Sequence, residues 1–277
     1  MTVVEHAYRD FEHTGWQRAA ACYADTFEAA TRLFAPALLD AVGAEGSMQL
    51  LDVACGTGSV AALAAVRGAT VVGVDFAPAM LDAARRLHPA LRFEGADAEA
   101  LPFAEASFDA VVINFGAHHF PFPVRALSEA RRVLRPGARM AFTVWAAPDR
   151  HALHGIALQA VRDVGLSDAT LPLPPGGALN EAAACQRLLD EAGLSVPPSA
   201  EPHCIEDALW LDGEQELLHM MQEGTVRLSA LIRSQPPEQV PAIVASIQRA
   251  AAAYRHVNGR LRIPVSAILA VGVKAPA

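Results

Sequence analysis

The amino-acid sequence predicts an α/β fold in which helices flank a parallel sheet. Short apolar segments alternate with helical patterns between residues 48 and 145, which is typical of repeated βαβ units. The first apolar segment continues into a glycine-rich turn, Leu-Leu-Asp-Val-Ala-Cys-Gly-Thr-Gly at 50–58. The chain has 277 residues, of which 52% are hydrophobic and 19% charged, so it can bury one large core.

The elements of the first half follow from hydrophobic periodicity. Between Trp16 and about Val42 the pattern predicts a helix, which Pro36 would break or bend. A later helix, at 122–134, is expected to end in the turn Arg135-Pro136-Gly137. The predicted strands are 48–54, 70–75, 91–95, 108–114 and 140–145, with further helices at 57–67 and from Pro78 to Pro89.

The second half is predicted to be mainly helical, with two more strands. Helices are expected at 152–164 and 180–192, a strand at 203–211, and mostly helical structure at 214–257. The last strand is predicted at 263–273. Pro264 is tolerable there only near the start of the strand or at a sheet edge, because proline donates no ladder hydrogen bond.

Composition excludes several classes of protein. The net charge of −8 and the pI near 5.7 provide no basic surface for a nucleic-acid backbone. The polar N-terminus does not read as a secretory signal, and no apolar run is long enough to span a membrane. A cytoplasmic protein without a disulfide framework or a zinc site is therefore expected, because its four cysteines are far apart: Cys22, Cys55, Cys185 and Cys204.

The glycine-rich turn and the acid that ends the second strand predict a nucleotide site. Gly56 and Gly58 let the backbone turn sharply and allow a ligand to approach closely. Asp75, seventeen residues after Gly58, is placed to accept hydrogen bonds from ribose hydroxyls. The alternative interpretation of Asp75 is a solvated strand end or a helix cap. The turn alone is also typical of nicotinamide-dependent oxidoreductases.

Three downstream segments decide between these cofactor classes. Strand three is followed by Gly95-Ala96-Asp97-Ala98-Glu99-Ala100-Leu101-Pro102-Phe103, where Asp97 can accept from an adenine amino group. Then come Ser107-Phe108-Asp109-Ala110-Val111 and Arg132-Val133-Leu134-Arg135-Pro136-Gly137. With these segments the chain resembles the class I S-adenosylmethionine-dependent methyltransferases, in the ubiquinone/menaquinone-type small-molecule branch. It departs from many members in carrying Ala54 at the first glycine position.

This resemblance implies a Rossmann-like, seven-stranded, mostly parallel sheet with an antiparallel last strand. It further implies an N-terminal helical cap over 1–46 and a core over 47–277, with a helical insertion at about 212–260 as a substrate lid. The implied cofactor is S-adenosyl-L-methionine, which leaves as S-adenosyl-L-homocysteine, and no metal is expected. The residues expected to bind it are Tyr23, Asp52, Ala54, Gly56, Gly58, Asp75, Phe76, Met80, Asp97, Ala98, Asn114 and Phe115.

The resemblance also implies a role for each of these residues. The turn at Ala54, Gly56 and Gly58 would hold the methionine part, Asp75 the ribose, and Phe76 and Met80 the edge of the adenine. Asp97 and Ala98 would hold the polar edge of the adenine, and Asn114 and Phe115 would lie beside the methyl group. For Tyr23, which would close over the cofactor, plain core packing is the alternative.

Two histidines after strand four, His118 and His119, are the candidate catalytic residues. They lie at the carboxyl edge of the sheet, where open α/β sheets bind ligands. A histidine there could deprotonate or orient a hydroxyl; the alternative is that the pair only positions the loop. No carboxylate or cysteine lies at metal-ligand spacing nearby.

The expected reaction is methyl transfer to a small organic molecule, on oxygen or nitrogen rather than carbon, by in-line displacement. No nucleic-acid or membrane partner is expected, and the oligomeric state is open, with a homodimer as one arrangement. Two alternatives are a nicotinamide-dependent oxidoreductase and a protein that binds the cofactor without turnover. The sequence does not identify the acceptor molecule.

Overall fold

The computed structural model describes residues 3–164, 171–175 and 177–276. Its centre is a seven-stranded sheet with the order β3-β2-β1-β4-β5-β7-β6. The pairs β1–β2, β1–β4, β2–β3 and β4–β5 are parallel, and β7 is antiparallel to both neighbours. The sheet confirms the predicted fold class. Its strands are β1 (Gln49–Val53), β2 (Thr70–Asp75), β3 (Arg92–Gly95), β4 (Phe108–Asn114), β5 (Leu134–Trp145), β6 (His203–Leu211) and β7 (Leu261–Val273).

The helices precede, connect and follow these strands. Short 3₁₀ turns lie at Tyr23–Asp25, Ala117–His119 and Pro198–Ala200. No helix within the described ranges is both long enough and apolar enough to cross a bilayer. The α-helices are α1 (Val3–Ala19), α2 (Glu28–Arg32), α3 (Ala35–Ala41), α4 (Ser59–Val66), α5 (Pro78–Leu87), α6 (Pro123–Val133), α7 (Ala152–Asp163), α8 (Ala182–Glu191), α9 (Glu214–Glu223), α10 (Arg227–Arg233) and α11 (Val240–Ala252).

Helices cover both faces of the sheet, which explains why its central strands are continuously apolar. Neighbouring residues of one strand enter opposite cores: Leu51 packs with α6 and α8, whereas Leu50 packs with α3, α4 and α5. In β4, Val111 packs in the same core as Leu51, and Val112 packs in the same core as Leu50. Two separate layers of side chains therefore fix the sheet, and its carboxyl edge is left for loops.

A third core forms beyond that edge. Helices α7, α9, α10 and α11 pack together with the start of β7 and with Phe27 and Phe34 from the N-terminal region. The segment between β6 and β7 is thus helical, as predicted for 214–257. The division into a cap over 1–46, a core over 47–277 and a lid remains a prediction, and residues 1 and 2 of that cap lie outside the described residues.

The predicted helix between residues 16 and 42 is wrong in its extent. Helix α1 ends at Ala19 and is followed by the short elements up to Ala41. One physical reason is Thr26, whose hydroxyl donates to the carbonyl oxygen of Cys22 at 2.6 Å and competes with regular helical bonding. Pro36 lies in the first turn of α3, where the missing N–H costs nothing.

The predicted turn at residues 135–137 is also wrong. Strand β5 begins at Leu134, directly after α6, and includes these three residues. Gly137 adopts a φ of +79° and donates its backbone N–H to the carbonyl oxygen of Lys274 at 2.9 Å. A partner from the far end of the chain extends the strand, which local sequence does not indicate.

Gly58 at the start of α4 offers a test of the turn. Its φ is +88°, and a Cβ there would lie 2.6 Å from Cζ of Phe93. We expect Gly58→Ala to destabilise the fold by about 2–4 kcal/mol in urea denaturation, from backbone strain and overpacking together. Gly43→Ala is the matched control, because Gly43 has a φ of +65° and open space around its Cβ position. Equal losses in both variants would show that the Phe93 contact is unimportant.

Candidate functional site

A cavity opens at the carboxyl edge of the sheet, beside the ends of β1, β2 and β4. It encloses about 800 Å³ of empty space, including the part open to solvent. Most of the residues predicted to bind a cofactor lie in its wall, although they come from five separate segments of the chain. They are Tyr23, Ala54, Gly56, Asp75, Phe76, Met80, Asp97, Ala98, Asn114 and Phe115.

Asp75 and the glycine turn are joined by direct hydrogen bonds. The backbone N–H of Gly56 donates to Oδ2 of Asp75 at 2.9 Å, and that of Ala77 donates to Oδ1 at 2.9 Å. Burial raises the pKa of the Asp75 carboxyl, and these amides oppose the rise. Gly56 has a φ of +54° and nothing within 4 Å of its Cβ position, so the cavity-facing side of the turn is open. Asp75 therefore holds the turn and also borders the cavity.

Asp52 and Gly58 do not line the cavity. Asp52 is 1% exposed, and neither of its carboxylate oxygens has a hydrogen-bond partner. Burial raises its pKa to about 8, and the charge of Asp75 adds to this; the nearby amide of Ala61 opposes the rise without forming a regular hydrogen bond. Gly58 packs against Phe93 and His88 below the turn. Both residues support the cavity from behind.

One end of the cavity is lined by Phe76, Met80 and Asp97. Oδ1 of Asp97 accepts the backbone N–H of Glu99 at 2.9 Å, and Oδ2 forms an ion pair with Arg9 of α1. Asp97 is therefore oriented by its own loop and by a helix distant in sequence.

The other end is lined by Asn114 and Phe115. The amide of Asn114 donates to the carbonyl oxygen of Thr31 at 3.2 Å and accepts from the hydroxyl of Thr143 at 2.7 Å. Phe115 adopts a φ of +55°, and its ring stacks on Trp145 with centroids 3.9 Å apart. The same Thr31 shares a hydrogen bond of 3.0 Å with the hydroxyl of Tyr23. Thr31 thus connects Tyr23 to the end of β4.

The two candidate histidines have different surroundings. His119 lines the cavity, and its Nδ1 lies 2.8 Å from Oε2 of Glu12. His118 does not line it: its Nδ1 is buried without a partner, and burial lowers its pKa well below the ordinary value. The backbone carbonyl of His118 accepts the Tyr8 hydroxyl at 2.9 Å. Only His119 is placed to meet a molecule in the cavity.

Comparison with known proteins agrees with this geometry. Residues 51–142 match a family described as a methyltransferase domain. This segment of the chain is similar to that family. The match confirms the resemblance to class I S-adenosylmethionine-dependent methyltransferases that the sequence motifs predict.

The chain is similar to the demethylmenaquinone methyltransferase of Beutenbergia cavernae. It is 43% identical over 131 residues, which are 46% of this chain and 55% of that protein. The chain spans about half the length of the curated relatives it matches.

Two solved structures share the fold. A protein from Bacillus halodurans has a TM-score of 0.55 at 24% identity, covering 87% of this chain and 98% of its own. The [4+2]-cyclase SpnF has a TM-score of 0.51 at 21% identity, covering 89% of this chain and 82% of its own. At these identities the likeness shows the fold alone.

The matched segment, residues 51–142, does not include every residue of the cavity. Arg9, Glu12 and Trp16 of α1 also line it, and the sequence analysis missed all three. Their spacing of three and four residues places them on one face of a helix, which was the available signal. Glu99, missed as well, accepts the backbone N–H of Phe122 at 3.0 Å.

Negative charge dominates the cavity. Four of its described lining residues carry carboxyl groups: Glu12, Asp75, Asp97 and Glu99. Arg9 carries a guanidinium, which already forms an ion pair with Asp97. Such a wall favours a ligand that carries positive charge. In the described parts of the chain, no group of three or more His, Cys, Asp or Glu side chains could hold a metal ion.

Two buried histidines near the cavity predict sensitivity to acid. Burial lowers the pKa of His151 to about 2 and that of His154 to about 4, from 6.5. Because their folded-state pKa values are depressed, their contribution to stability is full above pH 6.5 and is lost as the pH falls toward 4. Each group costs about 1.4 kcal/mol per pH unit in that range.

We therefore expect His154→Gln to lose less stability than the parent protein between pH 7 and pH 5, measured by urea denaturation. His203→Gln is the control, because His203 is exposed. Identical pH dependence of all three proteins would contradict the burial argument.

Proposed function

We propose that this protein transfers a methyl group from S-adenosyl-L-methionine to a small organic molecule. The observation that carries the proposal is the convergence of Asp75, the Gly56 turn and Asp97 on one cavity beside the ends of β1, β2 and β4. The match of residues 51–142 to a methyltransferase domain supports it. The same convergence is what an adenosyl group requires, because its ribose and adenine present separate hydrogen-bonding edges.

The acceptor oxygens and the open space of the cavity fit this cofactor. Each Asp75 oxygen accepts one backbone N–H and keeps further acceptor capacity for ribose hydroxyls. The open space above Gly56 allows the methionine part to approach the backbone. The carboxyl groups that line the cavity outnumber the one guanidinium among its described lining residues, which Asp97 already pairs, so the site is short of positive charge. A ligand with a sulfonium and an ammonium group supplies it.

We assign the remaining roles by position. Phe76, Met80 and Ala98 would enclose the adenine, and Asp97 would accept from its amino group. Asn114 and Phe115 would border the reacting centre, with Tyr23 closing the lid side. Asn114 is oriented by the protein itself, because its amide is hydrogen-bonded at both ends.

The bound cofactor supplies a methyl group on a sulfonium, which is a good leaving group. The protein then has two tasks, to hold the acceptor in line with that methyl group and to exclude water. The aromatic surfaces of Phe115, Trp16 and Phe120 provide an apolar wall for the acceptor. The net charge of −8 supports a small molecule over a nucleic acid, and the four free cysteines support a cytoplasmic location.

The fold alone does not fix methyl transfer, since a [4+2]-cyclase shares it. Thermal-shift titration tests cofactor choice: at 100 times its Kd, S-adenosyl-L-methionine should add about 2.7 kcal/mol of stability, and NAD none. Stabilisation by NAD alone would identify an oxidoreductase. Transfer of label from methyl-labelled cofactor to a panel of phenols, amines and quinols then tests turnover. Cofactor binding without transfer to any acceptor would favour a protein that only binds it.

A further inference from the structure

Glu12 is a buried acid with an unused oxygen. It is 1% exposed and lines the cavity. Its Oε2 is bonded to His119, whereas its Oε1 is enclosed and has no hydrogen-bond partner. Burial and the neighbouring Glu12 carboxylate raise the pKa of Tyr8, so the Tyr8 hydroxyl lies close to Glu12, although it donates its proton to the carbonyl oxygen of His118. Because Oε1 is enclosed, the Glu12 carboxylate acts on the cavity through its bond to His119.

The bond to Glu12 also orients His119. A carboxylate at Nδ1 requires the neutral imidazole to carry its proton on that nitrogen, which leaves the lone pair on Nε2. Nε2 makes no hydrogen bond to any described residue. The edge of Trp16 packs on the imidazole with ring centroids 5.0 Å apart and an interplanar angle of 89°, which fixes the ring. Of this pair, the acceptor available to a molecule in the cavity is therefore Nε2 of His119, with the Glu12 carboxylate held behind it.

The charges around this pair restrict what can bind. Arg9, the cationic side chain among the described lining residues, is already paired with Asp97, so an anionic acceptor finds no free partner there. A protonated amine would be placed beside the sulfonium of the proposed cofactor and repelled by it. A neutral hydroxyl on an aromatic ring meets neither penalty, and Trp16, Phe115 and Phe120 offer ring surfaces.

We propose that Glu12 and His119 form the acceptor subsite and that it takes a neutral aromatic hydroxyl, which is methylated on oxygen. This inference rests on the proposed function. The acceptor oxygen forms a bond to the methyl carbon while the carbon–sulfur bond breaks and leaves its electron pair on sulfur. The hydroxyl proton passes to Nε2 of His119, and the Glu12 carboxylate balances the imidazolium that results. His119 is then a catalytic residue and Glu12 a positioning residue.

Binding of four matched probes tests the substrate class. With sinefungin, an unreactive analogue that carries a positive charge in place of the sulfonium, at saturation, calorimetry would compare 1-naphthol, 1-methoxynaphthalene, 1-naphthoate and 1-naphthylmethylamine. We expect 1-naphthol to bind at least tenfold more tightly than its methyl ether, with the carboxylate and the cationic amine weaker still. Equal binding of the ether, or preference for the carboxylate or the amine, would overturn the inference.

Glu12→Gln tests the role of the carboxylate, with Asp10→Asn as the matched control on an exposed position of the same helix. We expect the preference for 1-naphthol over the ether to disappear in Glu12→Gln and to persist in Asp10→Asn. Affinity for S-adenosyl-L-homocysteine should stay within threefold in both, which also checks that Glu12→Gln folds. Retention of the preference in a folded Glu12→Gln would contradict the proposal.

Nitrogen NMR of histidine-labelled parent protein provides a readout that needs no folded variant at Glu12. The neutral His119, assigned by the signal missing in His119→Gln, should carry its proton on Nδ1. A proton on Nε2 would overturn the inference. Failure of S-adenosyl-L-homocysteine to bind would instead refute the proposed function, so the two failures are distinguishable.

Discussion

Asp75→Ala is expected to weaken the affinity for S-adenosyl-L-homocysteine by about 1–3 kcal/mol, or roughly five- to 150-fold in Kd. The carboxylate is proposed to accept the ribose hydroxyls, and hydrogen bonds to a charged acceptor are the stronger kind. The substitution also removes the acceptors of the Gly56 and Ala77 N–H groups, which loosens the glycine turn. Titration calorimetry measures the change directly.

Asp82→Ala is the matched control for this experiment. Asp82 lies on α5, the helix that follows Asp75, and its side chain is 73% exposed, with Arg85 as its ion-pair partner. Its removal should leave the affinity unchanged, because an exposed pair of this kind contributes little. If Asp75→Ala bound the ligand as tightly as Asp82→Ala, the ribose assignment would be wrong.

Asp52→Asn is expected to flatten the pH dependence of stability. The folded-state pKa of Asp52 is raised from 3.8 to about 8 by burial, so the folded protein holds this proton more tightly than the unfolded chain. The stabilising contribution is therefore complete below pH 3.8 and is lost as the pH rises toward 8. At about 1.4 kcal/mol per unit, Asp52 alone removes about 2–4 kcal/mol between pH 5 and pH 8.

Urea denaturation at pH 5 and pH 8 tests this expectation. Asp52→Asn resembles the protonated acid in shape and charge, so its advantage in stability over the parent protein should grow by about 2–4 kcal/mol between pH 5 and pH 8. Asp82→Asn should follow the parent at both values, because Asp82 is exposed. If Asp52→Asn gained no stability relative to the parent protein between pH 5 and pH 8, Asp52 would have to ionise freely in the folded state.

The sheet and the glycine turn were predictable because their signals are local. The bounds of β2 and β4 follow from apolar runs that end in Asp75 and Asn114. The start of β5 was not predictable, since Gly137 pairs with Lys274 from the far end of the chain. The failed helix prediction between residues 16 and 42 has a local cause, because the Thr26 hydroxyl donates to the carbonyl oxygen of Cys22 and competes with regular helical bonding.

The cavity could be predicted only on the side built from the sheet. Its cover comes from α1, and Glu12 meets His119 across 107 residues of sequence, a distance that no periodicity encodes. Sequence also could not choose between His118 and His119, because adjacent residues of a 3₁₀ turn face different surroundings. The spacing of Arg9, Glu12 and Trp16 indicated a shared helix face but not what that face covers.

The most direct test of the central claim is a crystal structure of the protein with S-adenosyl-L-homocysteine. We predict the ribose hydroxyls on the carboxylate of Asp75, the adenine between Phe76 and Met80 with its amino group at Asp97, and the sulfur beside Asn114. A structure that places the ligand away from Asp75 and Asp97, or crystals that never take it up at saturating concentration, would contradict the account.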